Sequence, residues 1–221
     1  MAGADYRVRI FTPSGELPFA GHPTLGSCHV WLATGGQAQS EEVVQECGVG
    51  LVRLRRDGTR LAFAAPPLLR TGPVEAEVLA QISRGLAIAP SAIRASQWVD
   101  NGPGWVAVML SDRSEVLALQ PDYAALHGLK LGVVAPWVGG DTQFEVRALI
   151  GASPGYEDPV TGSLNASLAQ WLMGVGLAPS SYVAGQGTVL RRAGRVHLDR
   201  QGDTVWVGGD IAPCIAGTVL L

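Results

Sequence analysis

Lysine is almost missing from this chain. Lys130 stands alone, and arginine supplies nearly all the positive charge. With Lys+Arg 16 against Asp+Glu 19 the net charge is -3. The single basic cluster, Arg53–Arg56, is too short to make the basic face that a nucleic-acid binder presents. Charged residues are only 16% of the whole and apolar residues are 47%. A disordered chain shows the reverse balance. No apolar run approaches the roughly 18–20 residues that span a bilayer, so no membrane partner is expected. Residues 1–6 carry neither the basic nor the apolar part of a secretory signal. Cysteine is scarce too: Cys28, Cys47 and Cys214 are odd in number and lack C-x-x-C spacing. That excludes a disulfide framework and fits a reducing, cytoplasmic setting. His22, His29, His127 and His197 form no H-E-x-x-H and no zinc spacing. No metal and no other cofactor is expected, and Gly48-Val49-Gly50 is too short for a dinucleotide fingerprint.

What is present in quantity is glycine (29) and proline (14), the punctuation of a turn-rich, strand-rich fold. The 221 residues suit one large domain or two small lobes, and an internal repeat favours two. Val8-Arg9-Ile10-Phe11 reads as a strand and leads through a Gly/Pro loop to Pro23-Thr24-Leu25-Gly26-Ser27 and an apolar stretch, His29–Leu32. Val146–Leu149 reads as a strand and leads through a similar loop to Pro159-Val160-Thr161-Gly162-Ser163. There Leu164, Leu168, Trp171 and Leu172 share one helix face. Pro23 and Pro159 suit the first helical position, where a missing N–H costs nothing. Downstream, Val52-x-Leu54-x-Arg56-x-Gly58 matches Val196-x-Leu198-x-Arg200-x-Gly202, each with a second alternating strand behind it, a β-hairpin in both copies.

The expected fold is therefore α+β: two pseudo-symmetric lobes, each a curved, mostly antiparallel sheet or barrel around one central helix. The first lobe takes residues 1–68, with a last strand at 212–221 joining it, and the second takes residues 69–221. The copies are unequal. The second half spends Val74–Leu86 on a helix, and Ser96–Asp100 and Trp105–Leu110 on two strands joined through Asn101-Gly102. The first half has no counterpart, so its lobe is expected to be incomplete.

Each turn stands at a helix N-terminus, where backbone N–H groups are unpaired and the macrodipole is positive. Such an end holds a carboxylate well. The first turn carries His22, and the second carries Glu157, Asp158, Thr161 and Ser163. An imidazole and a carboxylate can shuttle a proton near neutral pH. Singly, each has a plainer reading: His22 and Asp158 as helix caps, Ser163 as a first-turn hydroxyl. Five of the six tryptophans, Trp98, Trp105, Trp137, Trp171 and Trp206, read as core.

The longer signatures, Arg9-Ile10-Phe11-Thr12-Pro13 with Glu16–Gly26, and Glu157–Ala166, together with Trp98–Pro103 and Val207-Gly208-Gly209, resemble the PhzF-like phenazine-biosynthesis family over essentially the whole chain. The resemblance implies a diaminopimelate-epimerase-like fold with the site between two lobes, and a homodimer. It implies isomerisation of the trans-2,3-dihydro-3-hydroxyanthranilate type on a small carboxylate-bearing substrate, by proton transfer without a cofactor. By motif it gives His22 and Asp158 catalytic roles and Gly21, Ser163 and Thr161 substrate contacts. Ala20 and Pro159 fall where racemase relatives carry cysteines, which disfavours thiol chemistry. The family's general base is a glutamate in an N-x-S-E-T type motif ahead of R-I-F-T-P, and this chain starts just before that signature. Two expectations follow: little isomerase activity in the 221-residue chain, or a catalytically inactive small-molecule-binding remnant. Glu16 is a poor substitute, because a base needs hydrogen-bond reach to its proton.

Overall fold

The computed structural model describes residues 2–13 and 15–217. The chain divides into two compact units, Met1–Phe63 with Gly208–Leu221, and Ala64–Val207. The sequence places that boundary at residue 68.

The first unit begins with β1 (Tyr6–Arg7), β2 (Ile10–Thr12), β3 (Gly15–Leu17) and α1 (Gly21–Ala33), followed by β4 (Val43–Cys47), β5 (Gly50–Asp57) and β6 (Arg60–Ala64). Four of these strands lie in the order β1-β4-β5-β6, while β2 and β3 form a separate hairpin. β1 runs parallel to β4 and the other pairs are antiparallel. Val52 and Leu54 on β5 and Leu61 and Phe63 on β6 turn into the core with Cys28 of α1. Asp57 pairs with Arg60 across a two-residue loop, and Gly58 takes the left-handed φ of 62° that such a tight hairpin requires. One expected strand is interrupted. Val8-Arg9 lies between β1 and β2, although the Val8 N–H still donates to the Glu46 carbonyl at 2.9 Å.

The second unit holds β7 (Arg70–Gly72), α2 (Ala76–Leu86), β8 (Ala95–Asp100), β9 (Trp105–Met109), α3 (Arg113–Ala118), β10 (Lys130–Pro136), β11 (Phe144–Ile150), β12 (Tyr156–Asp158), α4 (Gly162–Gly174), β13 (Ser181–Gln186), β14 (Gly194–Gln201) and β15 (Thr204–Gly209). Its strands follow the order β15-β14-β13-β11-β10-β9-β8-β7, with β12 against β11. The β9–β10 and β11–β13 pairs are parallel. Strand alternation splits the side chains between two cores. Val106, Val108, Leu131, Val133 and Ala135 meet Ile82 and Leu86 of α2 and Val116 of α3. Leu164 of α4 packs on Gly132 of β10, where an added Cβ would collide with its side chain. α4 also touches β8 and β14, so the sheet wraps it. Nine of its residues are buried, Leu164–Ala169 and Trp171–Met173, against three in α1. The mixed α+β architecture agrees with the sequence expectation.

Three local expectations need correction. α1 and α4 are both 13 residues long and start at Gly21 and Gly162. Aligned by their starts, Gly21 matches Gly162 and Thr24 matches Asn165, so the Pro-x-x-Gly-Ser match is out of register with the helices. Pro23 is the third residue of α1, and Pro159 lies ahead of α4 rather than at its first position. Finally, residues 212–217 carry no strand. Pro213 has no N–H to offer a ladder, and the rest of the 212–221 segment lies outside the described residues.

β11 and β12 are tied by an ion pair. Arg147 Nη2 meets Glu157 Oε2 at 2.7 Å with the two side chains only 3% and 4% exposed. Arg147 Nη1 also donates to the carbonyls of Val116 and Leu119 at 3.1 and 2.9 Å. Removing one partner of such a pair leaves an uncompensated buried charge, at a cost of about 3–5 kcal/mol. Glu157→Ala is therefore expected to lower the urea midpoint sharply, and Arg147→Met with Glu157→Leu to recover most of the loss. A Glu157→Ala protein as stable as the parent would contradict this. A second outcome concerns the thiols. Burial pushes the Cys28 thiol above its ordinary range, whereas Cys214 is exposed. Because the thiolate is the nucleophile, iodoacetamide at pH 8 should modify Cys214 in the folded protein and Cys28 only after unfolding, as read by mass spectrometry.

Candidate active site

The second signature forms a short bend from β12 into α4. Thr161 is the N-cap residue of α4 by backbone conformation, yet no side chain caps the helix. The Thr161 hydroxyl is engaged elsewhere: it donates to Asp158 Oδ2 at 2.5 Å and accepts from Gln186 Nε2 at 3.0 Å. Asp158 is therefore not a cap. Its carboxylate meets a hydroxyl rather than the helix N–H groups. Gln186, at the end of β13 and fully buried, fastens the bend from below. Its Oε1 accepts from the Thr161 N–H at 3.0 Å and from Asn165 Nδ2 at 2.7 Å, and its Nε2 also donates to the Asp158 carbonyl at 3.0 Å. Two glycines let the bend seat. A Cβ at Gly187 would come within 2.6 Å of the Pro159 carbonyl oxygen, and one at Gly194 would collide with Val160.

Ser163 follows in the first turn of α4. Its Oγ accepts from the indole N–H of Trp105 at 3.1 Å, and its carbonyl accepts from Asn101 Nδ2 at 3.0 Å. Trp105 is thus both core and a partner of the site. The structure brings Asp158, Thr161 and Ser163 together on one bend. It removes Glu157 from the expected pair of carboxylates, since that side chain is committed to Arg147.

The first signature is held by comparable means within its own unit. A Cβ at Gly48 would come within 2.6 Å of Pro18 Cα, and the Val49 N–H donates to the Pro18 carbonyl at 3.2 Å. The buried Gln45 donates from Nε2 to Thr24 Oγ1 at 3.1 Å and accepts from the Tyr6 hydroxyl at 3.0 Å. Ala20 occupies the N-cap of α1 in extended conformation, and again no side chain caps the helix. His22 is the second helical residue, exposed, and is not a cap. Aligned by helix starts, the counterpart of Ala20 is Thr161 rather than Pro159. Glu16 sits on the β2–β3 hairpin with both carboxylate oxygens taken by Arg9, at 2.9 and 2.8 Å. That guanidinium holds the Glu16 carboxyl below the usual range.

Neither α1 nor α4 has an acidic residue in its first turn. Each helix start thus keeps its positive end without an acidic side chain in its own first turn, an arrangement that favours a bound carboxylate, and at α4 the Asp158 carboxylate stands beside it on the Thr161 hydroxyl. Among the described residues no group of three or more His, Cys, Asp or Glu side chains could hold a metal ion. No helix among them is long and apolar enough to cross a membrane. The sequence missed Gln186, Asn165, Asn101 and the site role of Trp105. Asn101 and Asn165 lay inside the quoted signatures, but Gln186 is an isolated residue on a later strand and carried no signal.

Comparison with known proteins supports the same reading of the fold. The sequence profile of the family described as phenazine biosynthesis-like protein matches residues 2–217. Antisense-enhancing sequence 1 of Schizosaccharomyces pombe is 31% identical, over 97% of this chain and 79% of its own length. A trans-2,3-dihydro-3-hydroxyanthranilate isomerase of Pseudomonas aeruginosa is 33% identical over 171 residues, covering 75% of this chain and 59% of the enzyme. Among solved structures, a putative phenazine biosynthesis PhzC/PhzF protein from Clostridium difficile superposes with a TM-score of 0.73 at 23% identity, over 97% of this chain and 78% of that one. With a family profile fitting nearly every residue and helix starts built as described, this chain belongs to the PhzC-PhzF, phenazine biosynthesis-like family.

Proposed function

We propose that the protein is an isomerase that moves a proton on a small carboxylate-bearing substrate of the trans-2,3-dihydro-3-hydroxyanthranilate type, without a cofactor. One observation carries the reading. The hydroxyl that should cap α4 is diverted to Asp158, so the helix start keeps its amides for an anion while a carboxylate is held beside it. The isomerase relative at 33% identity supports the reaction class. In this scheme the amides at Gly162-Ser163 and the Ser163 hydroxyl take the substrate carboxylate, and Gly21 contributes a backbone contact. Thr161 orients Asp158, and Asp158 and His22 carry the proton transfers. The working form is a homodimer in the cytoplasm.

A second reading, a protein that binds the small carboxylate without turning it over, draws on the state of the other signature acids. Glu16 is neutralised by Arg9 and Glu157 by Arg147, so neither serves as a base.

The test is turnover of trans-2,3-dihydro-3-hydroxyanthranilate in D₂O, followed by NMR for isomerised product carrying solvent deuterium. Asp158→Ala is expected to reduce turnover by about 10²–10⁴-fold, the usual range for a general acid–base group. His22→Ala, at an exposed position, should cost activity with little change in melting temperature. Unchanged turnover in Asp158→Ala with a lowered melting temperature would make Asp158 a structural residue. Saturable binding of the substrate by calorimetry, with no deuterium incorporated by the parent protein, would select the second reading.

A further inference from the structure

We infer that Gln186 is a positioning residue for the proposed proton transfer: through Thr161 it dictates which oxygen of Asp158 faces the substrate. The inference rests on the isomerase reading above and extends it to a residue outside both signatures.

The argument is one of hydrogen-bond polarity. A carboxamide has one acceptor end and one donor end, and a hydroxyl has a single proton. The Thr161 N–H can only donate, so the atom of Gln186 that meets it must be Oε1. The Asp158 carbonyl can only accept, so the atom that meets it must be Nε2. Asn165 is fixed in the same way. Its amide group donates to the Thr161 carbonyl at 2.9 Å, which leaves that same nitrogen to donate to Gln186 Oε1. Backbone groups at both ends therefore settle the orientation of Gln186. Its Nε2 then points a proton at Thr161 Oγ1, and the hydroxyl must send its own proton elsewhere. The one acceptor it meets is Asp158 Oδ2. Three of the four residues are buried, Gln186 at 0% exposed, Asn165 at 1% and Thr161 at 8%, and Asp158 is half-buried. Water therefore cannot substitute for a lost partner of Gln186 or Asn165 without rearrangement.

The consequence is directional. Asp158 Oδ2 is held as a standing acceptor from Thr161, and Oδ1 is the oxygen that exchanges a proton with substrate. Gln186 touches no substrate; it acts on the Asp158 carboxylate through Thr161, and besides that holds the Asp158 carbonyl.

Two variants separate this role from general support of the fold. Gln186→Glu keeps the acceptor toward the Thr161 N–H but replaces the donor Nε2 by a second acceptor, so the Thr161 proton turns away from Asp158. Thr161→Val keeps the shape and removes the hydroxyl. Each is expected to lower kcat about ten- to a hundredfold, the scale of a hydrogen bond to a charged group, with KM within about twofold. Thr161→Ser, which restores a hydroxyl, should recover most of the rate. The double variant should be no slower than the slower single one, because both break one relay. Parent-like kcat in Gln186→Glu, or losses that multiply in the double variant, would overturn the inference. Crystal structures of the parent, Gln186→Glu and Thr161→Val give the readout that needs no turnover. The Asp158 carboxylate should rotate or split into two conformers in both variants while the backbone of residues 158–163 stays in place. A single, unmoved Asp158 rotamer in both variants would refute positioning by Gln186 whether or not the protein is an isomerase. Rotation of Asp158 in both variants of a parent that shows no turnover would leave the relay standing and refute the isomerase reading alone.

Discussion

Gln186 has no access to water, so each hydrogen-bonding group of its carboxamide has to be matched inside the protein. The four partners it finds are all on the bend between β12 and α4 or in the first turn of that helix: the Thr161 N–H, the Thr161 hydroxyl, the Asp158 carbonyl and the Asn165 amide. The strand end that carries Gln186 therefore sets the place where α4 begins. One of the two cores of the second unit is arranged around that helix. Gly132 makes room for Leu164 beneath it, and Trp105 reaches from β9 to Ser163 above it. A buried polar group left unpaired costs on the order of 1–3 kcal/mol. A shift of the bend by one residue would orphan several at once, which is why the bend has a single geometry.

The two units solve a common problem with different residues. Both central helices start at a glycine with no side-chain cap, and both are hydrogen-bonded at their fourth residue to a buried glutamine, Gln45 donating to Thr24 and Gln186 accepting from Asn165. Gln45 lies on β4 opposite Val52, whereas Gln186 lies at the end of β13 opposite Gly194. The two glutamines occupy different rungs of their hairpins, since Val52 corresponds to Val196 rather than to Gly194. The glycines that admit each signature loop, Gly48 in one unit and Gly187 with Gly194 in the other, are likewise not at matched positions. The two helix starts share a backbone form, and the side chains that secure them differ from unit to unit.

That difference explains what could be read in advance. Strand alternation in Val52–Phe63 and Val196–Val207, and the 3.6-residue period from Leu164 to Leu172, report burial directly, so the hairpins and α4 were legible. The helix starts were misplaced because Pro-x-x-Gly-Ser recurs by composition, while the true equivalence of Gly21 with Gly162 depends on where the backbone first closes a helical turn. Asp158, Thr161 and Ser163 were legible as a group because they are neighbours in sequence. Gln186 was not, for it lies 25 residues from Thr161 and nothing local distinguishes it from any strand glutamine. The commitment of Glu157 to Arg147 was hidden for the same reason: an ion pair between two strands has no period.

The division of the chain also bears on how the protein assembles. The unit built on α4 is one uninterrupted stretch, Ala64–Val207, whereas the other draws on both Met1–Phe63 and Gly208–Leu221. Closing the second kind of unit requires that two distant stretches find each other, with a loop-closure entropy the first kind avoids. During synthesis the first 63 residues leave the ribosome long before Gly208, whose backbone lies against Leu61 and Ala62. The β5–β6 hairpin is thus made long before the backbone that closes against it.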